Sequence, residues 1–219
     1  MAFKRVFSPS QVQTYLTCPR QYQAKYITKE VKFQQNDYAK FGDLVHKQIE
    51  DFLMEGKLMS PSLKKLQEVL GKHKGKLVGA ELALGRSHNG EATTQYGKNA
   101  WFNSKIDAVF KSEDGSVVLG IDWKTGKARE APIQMDMNAG VLAAKYPEAK
   151  KVIMVFVHLY KDAVYVKEYD PNALNINDTI NKIIKLEVAI KNDTFPPNPS
   201  GLCGKWCDVL SCPHNGKNK

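Results

Sequence analysis

Asp122 and Lys124 stand two residues apart in Gly120-Ile121-Asp122-Trp123-Lys124, and Asp107 precedes them in Lys105-Ile106-Asp107. Residues two apart in a strand share a face, so this carboxylate and this ammonium project together. Charges set among apolar residues are costly unless they are paired or metal-bound. Two carboxylates from neighbouring strands offer hard oxygen ligands suited to Mg2+ or Mn2+, ions that keep several of their waters. A lysine beside them can orient or deprotonate an attacking water and offset charge on a phosphate. Such a set suits phosphodiester hydrolysis. The plain structural alternative is a strand-end salt bridge between Asp122 and Lys124.

The four cysteines are a second group with chemical potential. Cys18 lies near the start, and Cys203, Cys207 and Cys212 crowd the far end. The stretch Met1-Ala2-Phe3-Lys4-Arg5 contains no apolar core of a secretory signal, so a cytoplasmic location is expected. Thiols stay reduced there, and a quartet of them reads as metal-binding rather than disulfide-bonded. Four thiolates can hold Zn2+ tetrahedrally or a [4Fe–4S] cluster, and His214 adds a fifth donor.

The 219 residues carry a formal net charge of +9, and 42% are hydrophobic. That is enough apolar material for a core, and the length suits one domain. The apolar run 152–159 is far too short to span a membrane. The positive balance favours an anionic partner, nucleic acid above all, although lysines also solubilise a surface. No dense basic run is present, which points to a diffuse phosphate-attracting face.

These residues need elements to position them. Ser8-Pro9-Ser10-Gln11 predicts a capped helix that stops before Pro19, with Tyr22 and Tyr26 continuing a helical spacing. Phe41, Leu44, Val45, Ile49, Phe52 and Leu53 predict a helix over 39–54, ended by Gly56. A lysine-rich helix follows at 62–73. Strands are predicted at 77–84, 100–110, 117–123, 151–159 and 164–169, and a polar loop at 85–97. Helices are predicted at 132–146 and 174–190, then an irregular proline-rich tail. The order predicts an α/β fold with a mixed central sheet flanked by helices. Three parts are expected in one domain: a helical part at 1–75, a sheet core at 76–170, and a helix with the cysteine cluster at 171–219.

Asp107, Gly120-Ile121-Asp122-Trp123-Lys124-Thr125-Gly126 and Gln134 together resemble the PD-(D/E)XK nuclease superfamily, in particular its RecB-like branch. Gly42-Asp43-Leu44-Val45-His46 resembles that branch's upstream Gly-x-x-x-His motif. The resemblance implies a restriction-endonuclease-like fold. It implies His46, Asp107 and Asp122 as metal ligands, joined by the backbone carbonyl of Trp123. It implies Lys124 as the catalytic lysine and Gln134 on the next helix, near the phosphate or the lysine. Two positions depart from the pattern. Asp122 stands where Glu is commoner, and Asn138 stands where Tyr often follows the Gln. Glu50 and Glu81 are weaker ligand candidates; for Glu81 a surface salt bridge is the stronger expectation.

Cys18-Pro19-Arg20-Gln21-Tyr22 and the final Cys212-Pro213 resemble the iron–sulfur staple of AddB-type and CRISPR-associated RecB-like exonucleases. This resemblance implies a [4Fe–4S] cluster on Cys18, Cys203, Cys207 and Cys212 that joins the two ends of the chain, with Zn2+ as the alternative occupant. It implies a metal-dependent exonuclease acting on single-stranded DNA or DNA ends, in recombination, repair or CRISPR adaptation, where protein partners are expected. A catalytically inactive DNA-binding or structural subunit, and an endonuclease, are the competing readings. Arg20 could contact DNA phosphate or pair with an acid. Tyr15, Tyr22, Tyr26, Phe33 and Tyr38, interleaved with lysines, could stack on single-stranded DNA, but helix packing is the expected role.

Overall fold

The computed structural model describes residues 5–32, 35–161 and 163–218. They divide into two compact units, one made of residues 5–6 with the described part of 35–176 and the other of 7–32 with 177–218. The predicted helical part at 1–75 is therefore shared between them.

The larger unit holds the sheet. Its strands are β1 (Leu77–Ser87), β2 (Ala92–Thr94), β3 (Ala100–Lys111), β4 (Val117–Lys124), β5 (Lys151–His158) and β6 (Ala163–Tyr169), in the order β2-β1-β3-β4-β5-β6. All neighbours are antiparallel except β4 and β5, which run parallel. A parallel pair needs a long crossover, and α5 (Pro132–Lys145) supplies it. This is the mixed sheet flanked by helices that the sequence predicts.

In the chain's numbering of helices, α3 (Asp37–Glu55) and α4 (Lys64–His73) also belong to this unit. Asn36 caps α3 through Ala39 N–H, and Gly56 ends it in the left-handed region at φ 77, which glycine adopts without steric penalty. The apolar stripe Val45, Ile49, Phe52 and Leu53 packs with Leu70, Ala108, Phe110 and Trp123 in one buried cluster. The other side of β4 meets α5. Gly120 allows this approach, because a Cβ there would lie 2.7 Å from Met154 Sδ and 2.9 Å from Leu142 Cδ1.

The predicted loop at 85–97 is different in the structure. β1 runs on to Ser87, and β2 returns beside it with Leu84 opposite Thr94 and Arg86 opposite Ala92. This hairpin forms the edge of the sheet, and its short outer strand is half exposed. Polar Thr93 and Thr94 give no apolar alternation to read, yet backbone pairing suffices. The predicted helix at 174–190 begins later, at Asn177.

The smaller unit contains α1 (Pro9–Thr17), α2 (Pro19–Tyr22) and α6 (Asn177–Lys191). Ser8 Oγ caps α1, accepting from Gln11 N–H at 3.4 Å. Cys18 is extended (φ −162), as expected before a proline. A π-helical turn, Gln23–Ile27, continues α2. Tyr22 is fully buried, with ring centroids of Tyr15, Tyr26 and Phe195 at 6.0, 5.1 and 6.0 Å. Tyr15, Tyr22 and Tyr26 therefore serve packing, as expected, but Tyr38 is 88% exposed, and Phe33 lies outside the described residues.

Gly120→Ala is expected to overpack the β4–α5 contact and lower stability by about 1–3 kcal/mol. Denaturant unfolding of the variant and the wild type measures this directly.

Candidate active site

The site forms where β3 and β4 separate. Their pairing runs from Lys111 opposite Val118 to Ala108 opposite Ile121 and stops there. Beyond it, Trp123 N–H donates to Asp107 Oδ2 at 2.7 Å, so a side-chain carboxylate continues the bonding that the ladder has abandoned. Asp107 is thereby fixed against the strand that carries Asp122 and Lys124.

His46 reaches the same carboxylate from α3, with Nδ1 3.4 Å from Asp107 Oδ2. Gly42, one turn earlier, explains how the helix comes close to the end of β4. A Cβ at that position would sit 3.2 Å from Thr125 Oγ1. The glycine of the Gly-x-x-x-His motif thus has a packing reason and the histidine a polar one.

Glu81 completes a group that sequence reasoning ranked low. One donor atom each from His46, Glu81 and Asp107 lies within 4.8 Å of the others. Glu81 also forms the expected ion pair, with Lys105. Its backbone is left-handed at φ 54 within β1, a costly conformation for a residue with a Cβ. Nothing in the residue types announces that turn, which is why its place beside Asp107 was hard to read. Glu50, by contrast, is held by Lys47 at 3.0 Å.

Asp122, Lys124 and Gln134 make a second, adjoining network. Gln134 Nε2 donates to Asp122 Oδ1 at 2.6 Å, and Lys124 Nζ donates to Gln134 Oε1 at 2.9 Å. Lys124 Nζ also lies 2.5 Å from Asp122 Oδ2, but that oxygen lacks a well-aligned hydrogen bond. The salt bridge considered as the plain alternative is therefore present, inside a larger arrangement. The ammonium sits 4.8 Å from the centre of the Phe156 ring. Asn138, the departure further along α5, is fully buried and accepts a hydrogen bond from Ser104; it ties α5 to β3.

The two networks are linked by charge. Asp122 is 3% exposed. Burial, with repulsion from Asp107 second, pushes its carboxyl pKa up to about 6 against the opposing pull of Lys124 and His46. Burial works to lower the His46 pKa, but the hydrogen bond to Asp107 and the charges of Asp107, Asp122 and Glu81 raise it overall. Several carboxylates held together with imidazole form a donor set that a divalent cation relieves. Asp122 stands outside the tight group because Gln134 and Lys124 hold its oxygens.

The profile of the PD-(D/E)XK nuclease superfamily matches residues 6–73 and 54–213. The chain belongs to this superfamily. It is a nuclease by family, and nucleases of this kind use divalent metals. The crystal structure of the protein SSO0001 has a similar fold, with a TM-score of 0.54 and 17% identity over 98% of this chain and 89% of that one. A Eubacterium rectale protein provisionally named an exonuclease matches with a TM-score of 0.53 and 11% identity over 98% and 89% of the two chains. No curated protein matches the sequence.

The nuclease's four thiols lie in the smaller unit. Cys18, Cys203, Cys207 and Cys212 line one small recess together with His214, and none is in a disulfide. Asn198 N–H donates to Cys18 Sγ and Ser200 N–H to Cys203 Sγ, each at 3.4 Å. Among the described residues, no three sulfurs approach within 4.8 Å of one another. Arg20 is paired with an acid, Glu30, at 2.6 Å and donates to Ser211 Oγ at 2.6 Å. Among the described residues, no helix is long and apolar enough to cross a membrane.

Asp122→Asn removes the buried charge that Asp107 repels. The folded pKa lies above the unfolded value of about 3.9, so the wild-type cost is absent below pH 4, grows as pH rises through 6, and is complete above it. In EDTA the variant is therefore expected to be more stable than wild type by on the order of 2–3 kcal/mol at pH 8 and to lose that advantage at pH 4. Urea midpoints at the two pH values read the difference.

Proposed function

We propose that this protein is a divalent-metal-dependent DNA exonuclease that hydrolyses phosphodiester bonds of single-stranded DNA or of DNA ends. The observation that carries the reading is the linked pair of networks, His46–Asp107 and Asp122–Gln134–Lys124, on a nuclease fold. His46, Asp107 and Asp122 would hold Mg2+ or Mn2+, with Glu81 within reach and the Trp123 carbonyl as a further donor. A bound divalent ion supplies an activated water and charge stabilisation at the phosphate. Lys124, next to Asp122, would orient an attacking water and offset phosphate charge. Gln134 keeps the ammonium aimed through its carbonyl oxygen.

An exposed aromatic pair supports a single-stranded substrate. Phe41 at the start of α3 and Tyr160 just past β5 are 47% and 40% exposed, with ring centroids 5.8 Å apart. Unpaired bases stack on such rings, and the net charge of +9 attracts their phosphates. The name of the Eubacterium rectale protein agrees with an exonuclease. A role in recombination, repair or CRISPR adaptation, with protein partners, follows from the RecB-like resemblance.

A [4Fe–4S] cluster on Cys18, Cys203, Cys207 and Cys212 is the second part of the proposal. The shared recess and the two N–H···S hydrogen bonds support it, because such bonds stabilise thiolate ligands. Closed zinc sites with bonds of about 2.3 Å bring their sulfurs to roughly 3.8 Å from one another. Zn2+ on the same four thiols is the alternative occupant. Its role would be to tie chain segments that are remote in sequence.

End-labelled single-stranded and duplex DNA, incubated with Mn2+ or Mg2+ and with EDTA, tests the enzyme. Wild type is expected to release short products only with metal, and Lys124→Ala to lose at least about a hundredfold in rate, in line with general acid–base effects. Wild type and variant that are equally inert yet bind DNA would mark a binding module. Anaerobically purified protein is expected to contain about four iron and four sulfide per chain, lost in Cys212→Ser. One zinc per chain would replace the cluster by the alternative ion.

A further inference from the structure

His158 is the last residue of β5 and is 3% exposed. Neither ring nitrogen has a hydrogen-bond partner among the described residues. An orphaned buried polar group is costly, so its presence needs a reason. Packing alone does not give one. The inward row of β5 reads Val152, Met154, Phe156, His158, and the first three are fully buried and apolar. A phenyl ring would suit the fourth place, where the imidazole meets the edge of Tyr165 at 5.5 Å.

Its position in the sheet suggests the reason. β4 and β5 are parallel, with Asp122 opposite Phe156 and Lys124 opposite His158. Opposed residues of neighbouring strands share a face and lie about 5 Å apart in backbone. The one polar member of the inward row therefore stands beside the lysine whose ammonium already covers Phe156.

The lysine's own bonding supplies the other half of the argument. Lys124 presently directs its ammonium to Asp122 Oδ2 and Gln134 Oε1. An ammonium carries three donors and no acceptor. Once Asp122 commits its oxygens to a cation, Lys124 loses one of its two acceptors in a largely buried setting. An imidazole nitrogen beside it offers a replacement acceptor.

We propose that His158 is a positioning residue for Lys124. One ring nitrogen accepts from the ammonium, directly or through one water, when Asp122 turns away, and holds the remaining donors toward the attacking water and the phosphate. This inference rests on the nuclease reading.

The test compares wild type, His158→Phe, His158→Asn and His158→Gln, with Lys124→Ala beside them, on single-stranded DNA with Mn2+. Melting temperatures in EDTA are measured in parallel. His158→Phe is expected to melt at or above the wild-type temperature, because it removes unsatisfied groups. Its kcat should fall at least tenfold while KM stays within twofold. Asn or Gln, which restores an acceptor near Nδ1 or Nε2 respectively, should recover part of kcat. A His158→Phe kcat within twofold of wild type would overturn the inference. If the Phe variant is instead destabilised, the amides decide at matched stability: recovery by either supports the role, and equal loss in both overturns it. Inert wild type would end the nuclease reading itself, whereas active wild type with an indifferent position 158 ends this inference alone.

Discussion

Two carboxylates are held close together at the point where one β-hairpin stops pairing, and the rest of the site follows from that. Asp107 is fixed because it accepts the Trp123 N–H, and Asp122 is fixed because Gln134 donates to it from α5. Each interaction is a structural bond in its own right. Together they bring like charges near enough that burial and mutual repulsion push the Asp122 carboxyl up to about 6. Folding therefore delivers an electrostatic cost to one place, and the surrounding imidazole and ammonium offset only part of it. A divalent cation is the ligand whose charge suits that place.

The framework shows why this chemistry needs several elements. A crossover helix between parallel strands puts Gln134 over the lysine, and close packing at Gly120 lets α5 settle on the sheet. Gly42 lets α3 bring His46 to the same spot from a different element. Loss of either approach would strip a carboxylate of a partner that holds it. The cysteines illustrate a different economy. Their unit already buries Phe7, Tyr22, Ile183 and Leu186, and a metal cluster would add a tie between segments that are remote in sequence.

Much of this was legible in the residues themselves. Apolar spacing defined α3 and its stop at Gly56, and the β-rich run at 151–159 defined β5. Asp107, Asp122, Lys124 and Gln134 were found by spacing and resemblance; the structure bonds the last three to one another and Asp107 to the Trp123 N–H between Asp122 and Lys124. What escaped notice had no local signature. The edge hairpin at β1 and β2 pairs through backbone, with side chains too polar to show a period. Glu81 ranked only as a weaker ligand candidate, because a left-handed kink in a strand is not written in a glutamate. His158 followed three apolar residues of its row as an ordinary strand-end polar residue, until its register with Lys124 was known.

The most direct measurement is the titration of Mn2+ into the purified chain, followed by electron paramagnetic resonance of the free ion. Wild type should bind Mn2+ with saturable stoichiometry, and Asp107→Asn and Asp122→Asn should each weaken it at least tenfold while remaining folded. Equal binding by wild type and both folded variants would mean that the carboxylate pair is not a cation site, and the catalytic account would fall with it.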